Sequence, residues 1–310
     1  MPDCWVAKRS AVSTNTRLNS SGQKDRGCQT SSAFSGLGVT ITRDMPAKLP
    51  FAKNKIVIAG ESPLVEDLSA LCVDAGYEVS MYLIEDLIDS GALRRLADDA
   101  KKAQIAIDVV AESLETKRDL IRTLDQSLPS DAPLLTAALS VTATQVGAWA
   151  SQADWVVGFG ALPPLKRGSL IELAPGLQTD PSTLGKAQKF FTSLGLETAV
   201  VEDSVGLVLP RIVCCLVNEA AYALMEGVAQ PRDIDTAMKL GTNYPLGPLE
   251  WGDLIGLDVV LAVLRGLYDE YGDDRYRPAP LLKQMVRAGR LGKKSDRGFY
   301  EYGEKLINDQ

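Results

Sequence analysis

Histidine is missing from all 310 residues. Any mechanism that needs an imidazole is excluded, whatever role the ring would play. Cysteine is sparse. Cys4, Cys28, Cys72, Cys214 and Cys215 show neither a metal-ligand spacing nor an even framework, so no metal site is expected. Such cysteine usage suits a reducing compartment and predicts a cytoplasmic protein. No uninterrupted apolar run reaches about 18 residues, so no membrane span is expected. Positive charge is also short: 33 Lys and Arg stand against 40 Asp and Glu, a net charge of −7. That balance argues against a nucleic-acid partner. What is present is 45% hydrophobic residues, enough for a real core, in a length that suits two domains.

Residues 1–50 are rich in Ser, Thr, Asn and Gly, and show neither a helical nor a strand period. Three readings are open for them. They form a disordered tail, a basic Ser-rich transit peptide, or a stretch before the true start, with Met45 just ahead of the first strand. They are set outside the fold, as is a tail over 303–310. From residue 51 to 204, short apolar runs alternate with helical spacings. Strands are predicted over 55–59, 78–84, 103–110, 134–137 and 155–159, and helices over 63–75, 87–102 and 114–128. This alternation predicts an α/β fold with a Rossmann-like doubly wound sheet.

The first strand runs into Gly60-Glu61-Ser62-Pro63-Leu64-Val65. A dinucleotide loop here needs three glycines: one for the tight turn, one for approach of the pyrophosphate, one for helix–strand packing. Only Gly60 is present; Ser62 and Val65 stand at the other two positions, and Glu61 adds a negative charge. Leu83 stands where an acid would hold the ribose, with Glu85 and Asp86 just beyond. Weak or absent NAD binding is predicted, and a Rossmann-shaped domain that binds no dinucleotide stays open.

After residue 204 the pattern changes. Apolar residues at 208, 209, 212, 213, 216, 217, 220, 221 and 224 keep one face, which predicts a long amphipathic helix over 205–226. Pro210 is tolerable in its first turn. Further helices are predicted over 233–240, 259–271 and 281–288, with Gly241 ending the first of these. The result is an all-helical second domain over 205–302. At its centre, residues 241–258 hold Pro245, Gly247 and Pro248, a stiff helix–helix corner.

Tyr244-Pro245-Leu246-Gly247-Pro248 resembles the Tyr-Pro-x-Gly-Pro corner in the C-terminal domain of the 3-hydroxyacyl-CoA dehydrogenase family. Val217-Asn218-Glu219-Ala220, Asp233-Ile234-Asp235-Thr236-Ala237-Met238 and the stretch from Lys293 to Tyr300 agree with it. The resemblance covers roughly residues 53–302. It implies NAD-dependent interconversion of 3-hydroxyacyl-CoA and 3-oxoacyl-CoA in fatty-acid metabolism, an acyl-CoA partner, and a homodimer through the helical domain. It implies cofactor contacts at Gly60, Ser62, Glu112, Lys117 and Lys294; for Glu112 and Lys117 a surface pair at a helix start is the other reading. The family's catalytic His falls on Gly160, its orienting Glu on Glu172, and its nearby Asn on Pro163. The Ser falls on Leu139, with Ser140 adjacent, and the Asn of the first C-terminal helix falls on Pro210. Glu172 is thus the one retained catalytic position. Two readings follow: a base acting through an ordered water in the gap left by the imidazole, or a structural carboxylate paired with Lys or Arg. The long segment that helps hold coenzyme A in the family is shortened here to about 20 residues after Ile84. A non-catalytic relative that binds acyl-CoA or a partner dehydrogenase is the alternative function.

Overall fold

The computed structural model describes residues 40–42 and 54–303. The three readings of the N-terminal stretch otherwise lie outside the described residues. So does most of the C-terminal tail.

Eight strands form one sheet, in the order β1-β8-β7-β6-β5-β4-β2-β3. They are β1 (Thr40–Thr42), β2 (Lys55–Gly60), β3 (Glu78–Leu83), β4 (Ile105–Val109), β5 (Leu134–Ala137), β6 (Val156–Gly160), β7 (Leu170–Pro175) and β8 (Glu197–Val200). Strands β3, β2, β4, β5 and β6 are parallel; β7 runs against β6, and β1 against β8. Ile56, Val57 and Ile58 are wholly buried, which is why β2 carries no polar alternation. Helices α1 (Leu64–Asp74) and α5 (Pro181–Ser193) bury apolar faces in the same core cluster as the helical domain; α2 (Ser90–Ala100), α3 (Leu114–Asp125) and α4 (Ala143–Gly147) contribute to a second. Asp89, Ser113, Thr142 and Asp180 cap α2 to α5 by accepting backbone N–H bonds, each worth about 1 kcal/mol.

Three sequence expectations change. Thr40–Thr42, placed outside the fold, pairs with β8 at the sheet edge. Helix α6 (Leu209–Met225) starts four residues later than the apolar period suggests. Leu207 adopts a left-handed backbone with φ 46°, which no helix can include. Helix α7 (Pro231–Thr242) continues through Gly241 and ends where Asn243 turns left-handed at φ 58°. Asn tolerates that region because its short polar side chain bonds locally. Strands β7 and β8 were not predicted, although Leu170-Ile171-Glu172-Leu173 carries an apolar run.

Beyond residue 204 the described chain is helical: α6, α7, α8 (Pro248–Ile255), α9 (Leu257–Tyr271) and α10 (Pro280–Arg287), joined by short 3₁₀ turns. Asp235 in α7 accepts N–H bonds from Leu249 (2.8 Å) and Glu250 (3.0 Å) at the start of α8, and a hydrogen bond from the Tyr300 hydroxyl. A Cβ at position 247 would overlap the Asp235 side chain, which accounts for Gly247 in the corner.

From β2 the chain steps outward to β3, then returns past β2 to β4. The space between the C-terminal ends of β2 and β4 is therefore the topological switch point, where open α/β sheets bind ligands. One continuous core joins Phe159 and Phe191 of the sheet domain to Val217, Leu257 and Leu264 of the helical domain. The helical domain thus packs beside this crevice.

Candidate active-site crevice

Gly60 ends β2 packed against Val109, and Glu61 follows at the mouth of the crevice. The Glu61 side chain reaches across the switch point. Its two oxygens accept the backbone N–H of Ala111 and of Glu112, each at 3.0 Å, in the loop after β4. The residue is only 9% exposed. Burial raises its pKa, opposed by the two amide bonds and by the nearby Lys117 ammonium. At the helix behind it, Pro63 has no N–H to offer, and the first turn of α1 carries Glu66 and Asp67.

Lys117 does not face the crevice. Its side chain is 0% exposed. The ammonium pairs with Asp108 and donates to the carbonyls of Val110 (2.8 Å) and Ala137 (3.0 Å). All three protons are committed beneath the loop. Asp108 is held in turn by Val110 N–H and Thr136 Oγ1. The helix-start position read from sequence is right, but the side chain points into the core, not at a cofactor.

Glu112 and Lys294 do come together. Lys294, in the 3₁₀ turn Lys293–Ser295, forms an ion pair with Asp258 at the start of α9 and lies 4.0 Å from Glu112. Its ammonium also reaches the Ser62 carbonyl at 3.5 Å. The Glu112 pKa is pushed up to about 8, by burial first, then by a hydrogen bond and charge repulsion from Asp258 and by Glu61; Lys294 opposes this. Asp258, missed by sequence reasoning, lies within the recognised corner stretch, but nothing local announces its partners.

Gly160, where the resemblance puts the family's imidazole, stands against Leu207. Gly160 pairs with Glu172 across β6 and β7. A Cβ at 160 would stand 2.9 Å from Leu207 Cδ1 and 3.3 Å from Glu172 Oε2. Leu207 is 2% exposed and packs with Ala138 and Ala174. Leu207 thus adjoins the place where a gap for an ordered water is expected. Both Glu172 oxygens accept backbone N–H bonds, from Val208 (3.0 Å) and Leu209 (2.9 Å), at the start of α6. No Lys or Arg pairs with Glu172 among the described ion pairs. Burial raises its pKa, and the two amide bonds counter that shift. Pro210 occupies the first turn of α6, with no donor. Ser140 is buried and its hydroxyl lacks a hydrogen-bond partner, while Leu139 and Pro163 line the remaining space in the crevice. That space is about 10 Å³, room for roughly one water. A wider cavity of about 550 Å³ opens at the opposite end of the strands, lined by Asn54, Gln104, Pro133 and Lys186, away from all these positions. Among the described residues no cluster of His, Cys, Asp or Glu could hold a metal ion, and no helix is long and apolar enough to cross a membrane.

Comparison with known proteins gives matches over the described chain. Residues 206–302 match the family described as 3-hydroxyacyl-CoA dehydrogenase, C-terminal domain, and residues 78–204 match its NAD binding domain. A 3-hydroxybutyryl-CoA dehydrogenase of Bradyrhizobium diazoefficiens is 34% identical over 259 residues, 79% of this chain and 88% of that protein. One from Mycobacterium tuberculosis is 30% identical over 285 residues, 91% and 96% respectively. The crystal structure of (S)-3-hydroxybutyryl-CoA dehydrogenase from Ralstonia eutropha superimposes with a TM-score of 0.66 at 31% identity, covering 82% of this chain and all of that one, 100%.

The sheet domain is thus an NAD-binding domain by kinship. The match begins at residue 78, so β2, α1 and the loop between them lie outside it. In the arrangement described, that loop does not fit a bound dinucleotide. Pro63 offers no N–H, and the neighbouring amides at 111 and 112 are bonded to Glu61.

Proposed function

The chain belongs to the 3-hydroxyacyl-CoA dehydrogenase family, and from that premise we propose that it meets the family's ligands: 3-hydroxyacyl- and 3-oxoacyl-CoA thioesters, in NAD-linked acyl-CoA metabolism. The observation that carries this reading is the meeting of Glu112 and Lys294 across the crevice, 4.0 Å apart, from two matched domains. A homodimer through the helical domain belongs to the same reading. It is supported by Val208, Leu209 and Ile212 around the start of α6, of which Ile212 is 53% exposed. Sedimentation at tens of micromolar tests it, and a monomer there refutes it. A cytoplasmic location is supported by the free thiols of Cys72, Cys214 and Cys215.

One observation favours a second reading, a non-catalytic member that binds acyl-CoA or a partner dehydrogenase. Leu207 packs against Gly160, the position the resemblance assigns to the family's base, and Glu172 is committed to two amides. In this reading Glu172 anchors α6 and handles no substrate proton. General-base catalysis is worth ~10²–10⁴-fold, and no histidine exists to supply it. Calorimetry with acetoacetyl-CoA, followed by its NADH-dependent reduction, separates the readings. Binding with turnover supports the first. Binding without turnover supports the second. No acetoacetyl-CoA binding overturns the proposed ligand class.

A further inference from the structure

Two loops must stand apart for a ligand to enter a switch-point crevice: the one after the first strand and the one after its returning neighbour. Here they are tied together. Glu61 leaves the β2 loop and bonds two consecutive amides of the β4 loop, one per oxygen, at equal distances of 3.0 Å. The carboxylate is buried at 9% exposure; burial raises its pKa, and the two amide bonds and the Lys117 ammonium oppose that shift. Beside it, Lys294 spans Asp258, Glu112 and the Ser62 carbonyl, so the helical domain holds the same two loops from above. A carboxylate on paired backbone N–H groups is the arrangement by which proteins hold anionic ligands. In this chain the anion is a side chain.

The geometry points to Glu61 as an internal plug: it occupies the anion-binding amides of the crevice, so that an external anionic ligand enters only when Glu61 swings out. The plug deepens the ligand reading given above, because it assumes that this crevice is where the chain meets its ligand. It also assigns the poor fit to a dinucleotide to one movable side chain in addition to the fixed Pro63.

The test compares the full-length chain with Glu61→Ala and Glu61→Gln. Amide hydrogen exchange reads the tie directly. Glu61→Ala is expected to speed exchange at Ala111 and Glu112 by at least ~10-fold relative to flanking β4 amides, since hydrogen bonds to charged groups have strengths of that order. Calorimetric titration with NADH reads the ligand: Glu61→Ala is expected to bind at least ~10-fold more tightly than the unmodified chain. Glu61→Gln keeps the volume and one good acceptor, so exchange should rise at one amide more than the other; it serves where the Ala variant fails to fold. Unchanged exchange at both amides overturns the tie. Faster exchange with no gain in NADH affinity overturns the plug. Neither result depends on acetoacetyl-CoA binding, so failure of the plug and failure of the ligand class are separable.

Discussion

The α7–α8 corner and the switch-point crevice use the same device to opposite ends. At the corner, Asp235 sits on the amides of Leu249 and Glu250. At the crevice, Glu61 sits on those of Ala111 and Glu112. Glu172, Asp203, Asp253 and Asp125 repeat the pattern on residues 208–209, 143–144, 299–300 and 151–152. At the corner no ligand is due, and the carboxylate simply replaces water on buried donors. At the crevice the same bonds close a place where the fold puts ligands. A carboxylate on paired amides is therefore structural or obstructive according to where the loop stands, not according to its own chemistry.

If the corner is purely structural, Asp235→Ala should cost most. It strands two amides and the Tyr300 hydroxyl at a residue 1% exposed, so urea unfolding should register a loss of roughly 3 kcal/mol. Glu61→Ala should cost about 1 kcal/mol, because burial already disfavours that carboxylate's charge. Equal losses at the two positions would break the contrast.

At the domain junction, Leu207→Gly removes a buried side chain, normally ~2–5 kcal/mol, but relieves about 1–2 kcal/mol of left-handed strain. A net loss of about 2 kcal/mol is expected in the same assay. Glu172→Gln is smaller again, about 1 kcal/mol, since one oxygen acceptor remains. If the chain turns over acetoacetyl-CoA, kcat should be unchanged in this variant when Glu172 only anchors α6. A fall of ~10² or more would make it the base after all.

A separate effect is in pH. Glu112 is held at about 8, well above its ordinary value, by burial and by Asp258 and Glu61. Between about pH 4.3, the ordinary Glu value, and 8 the folded chain keeps a proton that the unfolded chain has released. Stability is then whole below that window and falls as pH rises through it. Tm should drop modestly from pH 6 to 9, and Glu112→Gln should flatten the slope. An unchanged slope would remove Glu112 from the crevice's electrostatics.

The Rossmann-like alternation, the helical second domain and the Tyr-Pro-Leu-Gly-Pro corner were legible because their signals are local: strand runs, a 3.6-residue stripe, prolines at fixed spacing. The carboxylate ties were not legible, because Glu61 lies 50 residues from Ala111 and Glu172 lies 36 from Val208. No period connects such partners. The resemblance put the family's imidazole at Gly160, yet could not show that Leu207 packs against that position. Leu207 is an ordinary apolar residue until its left-handed turn, beside Gly206, aims it there.

That turn has a consequence for how this chain can change. A histidine placed at 160 meets Leu207, and a small residue placed at 207 empties a buried site without adding a base. Each single substitution is expected to fold less well than the starting chain, so the two positions are coupled through one packing contact. Comparing the stability of Gly160→His, Leu207→Gly and the double variant measures that coupling; additive losses would mean that the two positions are independent.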